Sequence, residues 1–109
     1  MSKSSITTKP LKPIHPGETI REDVLKPLGM SVNQFAKLLA MDVTRLNEIV
    51  RGRRGITADT ALRLARYLGT SPEFWTGLQA TYELRLAAQK NLKTIERQVK
   101  PADTVLQIG

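Results

Sequence analysis

The chain has 109 residues, enough for one domain. Lys and Arg number 17 against 10 Asp and Glu, a formal net charge of +7, which favours a polyanionic partner, nucleic acid before an anionic membrane. There is no cysteine, so disulfides and thiolate metal sites are excluded, and no run of about 18 apolar residues that would span a membrane. A cytoplasmic location is expected.

Residues 1–14 are rich in Lys, Ser, Thr and Pro, with Pro10 and Pro13 opposing helix. They are expected to form a flexible basic arm, and they carry no apolar stretch of the kind a secretory signal needs. His15-Pro16-Gly17-Glu18 opens the first helix, with Pro suited to its first turn and Glu to its dipole. Ile20, Val24 and Leu28 follow at fourfold spacing as its inner face, and Pro27 and Gly29 are expected to end it. Ser31 and Gln34 form a capping-box pattern for a second helix, with Phe35, Ala36, Leu38 and Leu39 apolar. Asp42 is a suitable N-cap for a third helix carrying Val43, Leu46, Ile49 and Val50, which Gly52 stops. Thr57 caps a fourth, with Ala61, Leu62, Ala65 and Leu68 inward and Gly69 as its stop. Ser71-Pro72-Glu73 starts a fifth, expected to run through Phe74, Trp75, Leu78, Tyr82 and Leu86 to about residue 90. Residues 104–108 are either a short extended segment or a frayed tail. The expected architecture is all-α: a domain over 15–90 between the arm and a tail over 91–109.

Residues 31–55 carry the chemistry. A helix-turn-helix needs a small residue midway in its first helix, a tight turn, and apolar positions that fix the second helix at one angle. Ala36 supplies the first, and Leu46 and Ile49, ten and thirteen residues on, supply the last. The turn position four residues after Ala36 is Ala40, where glycine would adopt a left-handed conformation at lower cost. The outward face of the third helix then presents Val43, Thr44, Arg45, Asn47 and Glu48 to base edges in a DNA major groove. Thr44 can meet a thymine methyl, Asn47 can pair with adenine, and Arg45 can take guanine or phosphate. Glu48 can accept from cytosine, yet would repel phosphate. Arg51, Arg53 and Arg54 follow as phosphate contacts, joined by Ser31 and Gln34 at the preceding helix N-terminus. Paired helices and arginine-rich loops also occur as plain solvated surface. The coincidence of apolar frame, polar edge and arginine cluster is what favours DNA.

No catalytic set accompanies it. His15 is the only histidine and lacks partners, so a helix-entry or capping role is expected. Asp23, Asp59 and Asp103 are scattered, Glu48 alone does not make a nuclease, and no nucleotide-binding motif is present. No enzyme activity, metal or cofactor is expected.

Several segments together resemble the HigA antitoxins, also labelled VapI-type, within the Xre/Cro helix-turn-helix superfamily. They are His15-Pro16-Gly17-Glu18, residues 22–29, residues 51–57, Ala61-Leu62-Arg63-Leu64-Ala65, residues 68–75, Leu78-Gln79-Ala80 and Tyr82-Glu83-Leu84. The resemblance implies a five-helix lambda-repressor-like domain that dimerises, binds a palindromic operator and represses its own operon. It also implies a HigB-like partner, a RelE-like mRNA-cleaving toxin neutralised by direct contact. A stand-alone Xre-type regulator without a toxin, or a module that only sequesters a protein, are the alternatives. Trp75, Gln79, Tyr82 and Leu86 share one stripe of the fifth helix and are the expected dimer interface. The basic stretch Lys90, Lys93, Arg97 and Lys100 is expected to be solvated.

Overall fold

The computed structural model describes residues 12–103; most of the expected arm and the 104–108 segment lie outside these residues. Five helices follow one another, and there is no strand among the described residues.

Helix α1 occupies residues 16–28 and is not uniform. Pro16–Thr19 is α-helical, Ile20–Leu25 widens into a π-helix, and Lys26–Leu28 returns to α. Pro27 accounts for the widening. It has no N–H, and in a regular α-helix its ring would crowd the carbonyl four residues back. In the wider turn the Lys26 N–H instead reaches the Arg21 carbonyl, five residues back. Pro27 therefore does not end the helix; Gly29 does, at φ 61°. The widened turn also shifts the apolar register. Val24 and Leu25 are buried, while Leu28, expected inward, is 55 % exposed.

Helix α2 is Val32–Leu38, opened by the full Ser31–Gln34 capping box. Helix α3 is Val43–Val50, capped by Asp42, whose Oδ2 accepts from the Arg45 N–H at 3.0 Å. Helix α4 is Ala58–Leu68, capped by Thr57 and closed by Gly69 at φ 78°. Its inner face is Thr60, Ala61, Leu64 and Ala65. Leu62 is 58 % exposed rather than inward, because at 3.6 residues per turn it sits well round the helix from a face centred on 61, 64 and 65.

Helix α5 is Pro72–Gln98, 27 residues long, with Ser71 as N-cap accepting from the Phe74 N–H. It passes the expected end near residue 90 without a break. The 88–98 stretch holds mostly good helix formers and neither Gly nor Pro, and the helix ends at Gln98, with the extended Val99 as C-cap two residues ahead of Pro101.

One core joins all five helices. Ile20 from α1, Phe35 from α2, Leu46 and Ile49 from α3, Leu64 from α4 and Trp75 from α5 are almost wholly buried within it. The core ends near the first turns of α5, and every residue from 89 to 103 is exposed.

Candidate nucleic-acid interface

Ala36, Leu46 and Ile49 are all buried, so the apolar frame holds α3 against α2. The turn between them is tight: the Ala40 N–H reaches the Lys37 carbonyl and the Met41 N–H reaches that of Ala36. Ala40 stands at φ 53°, the only non-glycine residue with positive φ among those described. Two arginines outside the expected site then fix this unit. Arg63 on α4 donates Nη1 to the Ala40 carbonyl at 2.8 Å and to the Leu39 carbonyl at 3.1 Å, while Asp59 holds its Nε at 2.8 Å. Arg21 on α1 donates to the Val50 carbonyl at 3.0 Å, at the C-terminal end of α3. Both satisfy carbonyls left over where a helix ends. The Asp59–Arg63 spacing of four is a readable signal, but the reach across 23 residues is not.

The start of α1 presses on the same helix. A Cβ at Gly17 would lie 1.8 Å from the Ile49 carbonyl oxygen, so only glycine permits this approach. His15 precedes it as N-cap, its Nδ1 accepting the Gly17 N–H at 2.9 Å. Its ring meets Tyr82 edge-on at 4.9 Å. Burial pushes the His15 pKa down, and a hydrogen bond with the Arg54 backbone opposes this in part.

With α3 so held, Thr44 and Arg45 are exposed, Val43 is 39 % exposed, and Asn47 and Glu48 are half-buried. Arg51 and Arg53 are exposed, and no ion pair among the described residues engages Arg45, Arg51 or Arg53. Arg54 differs. Its Nε donates to Glu48 Oε1 at 2.8 Å, and its Nη2 lies 2.7 Å from the same oxygen. Glu48 and Arg54 line one groove with Asp42, Thr44 and Arg45, and Asp59 and Arg63 border it as well. At the N-terminus of α2, Ser31 Oγ accepts from the Gln34 N–H and Gln34 Oε1 accepts from the Ser31 N–H, so each side chain spends an oxygen on the cap.

The stripe expected to join two copies is used within one chain. Trp75 is 2 % exposed and donates Nε1–H to Thr70 Oγ1 at 2.8 Å. Gln79 Oε1 accepts the Ile56 N–H at 2.8 Å, tethering the arginine-rich loop, and Tyr82 packs on His15. The stripe faces inward because the start of α1 and the loop leading into α4 both lie against it. Leu86, further along, is half-buried.

The helix-turn-helix family HTH_3 matches residues 21–75. The chain is 54 % identical over 76 residues to virulence-associated protein I of Dichelobacter nodosus, covering 70 % of each. It is similar to an addiction module antidote protein of the HigA family from Coxiella burnetii, at 49 % identity and TM-score 0.81, covering 84 % of this chain and all of that one. It is also similar to Pseudomonas aeruginosa antitoxin HigA solved with the higBA promoter, at 43 % identity and TM-score 0.80, covering 83 % and 98 %. The chain belongs to the HigA/VapI group of Xre-type helix-turn-helix proteins. The HigA family is not enzymatic. No group of three His, Cys, Asp or Glu able to hold a metal occurs among the described residues, and no described helix is long and apolar enough to cross a membrane. In HigA terms the HPGE segment is a cap plus a backbone contact to α3. The SPEFW segment is a cap plus the largest side chain of the core.

Proposed function

We propose that this chain is an antitoxin that binds its own operator as a dimer, represses its operon, and neutralises a RelE-like mRNA-cleaving toxin. The observation that carries the DNA half is the exposed edge of α3. Thr44, Arg45 and Asn47 stand on a helix clamped by buried side chains and by the Arg21 and Arg63 hydrogen bonds, with Arg51 and Arg53 uncommitted at its end. Such an edge suits base reading, and arginines beside it suit phosphate. Ser31 and Gln34 join the phosphate contacts through the hydroxyl hydrogen and the amide NH2 that the capping box leaves over. The related Pseudomonas aeruginosa HigA was solved with its promoter, which supports this assignment.

Two recognition helices roughly 34 Å apart would span one turn of duplex. With Trp75, Gln79 and Tyr82 engaged internally, contact between copies falls to the outer side of α5, where Leu84, Leu92 and Ile95 are exposed. Binding of the purified chain to its own promoter fragment, followed across salt concentrations, tests the DNA half. A salt-independent or sequence-blind result rejects it. Co-expression with the neighbouring reading frame tests the toxin half. Promoter binding with no co-purifying toxin leaves a stand-alone regulator.

A further inference from the structure

Glu48 is anomalous for a DNA-facing helix, since a lone carboxylate there opposes the phosphates. The structure does not leave it alone. One oxygen takes both the Nε and the Nη2 of Arg54, which reaches back six residues from the loop. A guanidinium held by that edge still has its outer edge, Nη1 with the second Nη2 hydrogen, pointing away from the carboxylate. Both groups line the same groove as Thr44 and Arg45, the residues assigned to base reading.

Resting on the DNA-binding reading above, we propose that Glu48 is a positioning residue for Arg54, and that the pair reads one guanine in each half-site. Three arguments support this. Two contacts to the carboxylate remove the freedom of a long side chain, so less entropy is lost when its outer edge docks. The planar outer edge matches the O6 and N7 acceptors of guanine. The carboxylate also disfavours a phosphate target, because Arg54 at a phosphate would carry Glu48 against negative charge, whereas base edges in the groove centre are neutral. Arg54 thus leaves the phosphate-binding set, and Glu48 need not contact a base.

The test is selection of preferred sites from randomised duplexes by the full chain, wild type beside Glu48→Gln, Arg54→Ala, Arg54→Lys and the Glu48→Gln/Arg54→Ala double variant. Thermal unfolding of each variant shows that the fold is kept. The expected result is one guanine preference per half-site that Arg54→Ala and Arg54→Lys both lower by about tenfold. Arg54→Lys keeps the salt slope, since the charge remains. Glu48→Gln weakens the same preference, and adds nothing once Arg54 is gone. A uniform loss over all sequences in Arg54→Ala makes Arg54 a phosphate contact and overturns the proposal. A changed preference in Glu48→Gln at a position that Arg54→Ala leaves alone makes Glu48 an independent reader and overturns it equally. Additive effects of the two substitutions also reject the pairing. These three outcomes leave the DNA-binding reading intact, whereas a wild-type chain with no sequence preference removes both.

Discussion

Ala40 sits where an L side chain is uncomfortable. The left-handed conformation costs an alanine on the order of 1–2 kcal/mol, and the turn imposes it all the same. Arg63 and Asp59 help by holding the Ala40 carbonyl from outside. Ala40→Gly is therefore expected to stabilise the chain by about 1 kcal/mol, raising the melting temperature by several degrees. An unchanged or lower melting temperature would mean that the turn relaxes instead. On the proposed reading, Thr44→Ala and Asn47→Ala act on recognition and not on the core. Each should cost about 1–3 kcal/mol at one base pair while leaving the melting temperature unchanged, as footprints on substituted operators can measure. The outward placement of Thr44 and Asn47 is legible from spacing alone, because once Ala36, Leu46 and Ile49 set the frame the opposite face follows. Arg21 and Arg63 are not, because their partners are main-chain oxygens more than twenty residues away and no side-chain pattern marks those. His15 adds a pH dependence. Its folded pKa lies below the ordinary value of about 6.5, so the unfolded chain binds the proton more readily. Stability is full above about pH 6.5 and falls as pH drops from there through the folded pKa. His15→Asn keeps a capping oxygen without the titration, and its melting temperature should change less than that of the wild type between about pH 7 and 5.5.

Among the elements, α1 departs furthest from expectation. Fourfold spacing places Ile20, Val24 and Leu28 on one face, and a regular helix would keep them there. The π segment ahead of Pro27 brings Leu25 inward and turns Leu28 out, a change of register that local periodicity does not encode. Helix starts are far more legible. Ser31, Asp42, Thr57 and Ser71 all cap as expected, because a cap depends on neighbours two or three residues away. The far end of α5 is harder to read, since the helix runs on to Gln98 near Pro101 and no stop signal stands at residue 90. The strictest demand on any element is at Gly17, where α1 touches α3 backbone to backbone. Gly17→Ala must force the helices apart, and a loss of about 3 kcal/mol is expected in urea unfolding. A near-neutral result would show that α1 can tilt freely away from α3.

At the scale of the molecule, charge and length matter together. The net charge of +7 is set against a long helix that leaves the core behind after its first turns. Binding should weaken steeply with salt, and Arg53→Ala should lower the slope by about one while weakening all sequences alike. A helix of 27 residues extends about 40 Å, and its outer half carries Leu92 and Ile95, each 47 % exposed. Leu92→Asp with Ile95→Asp is expected to yield a monomer by light scattering, with weaker operator affinity and an unchanged melting temperature for the core. A dimer that survives both charges would move the contact elsewhere. Sequence pattern points to dimerisation through the 75–86 stripe because a helix bearing several aromatic and apolar residues looks two-faced. In the fold, Trp75 belongs to the core and Tyr82 to the His15 contact.

The main-chain contact between Gly17 and Ile49 has a further consequence. The angle of α3 is set from behind, by a carbonyl, two clamping arginines and buried side chains, and none of these is among the residues proposed to contact DNA. Scaffold and text are separable. Val43, Thr44, Arg45 and Asn47 can be rewritten together, leaving the posture of the helix undisturbed. If those four residues read the operator as proposed, exchanging a handful of letters is expected to move the protein to a new one, with no need to refold the hand that holds them.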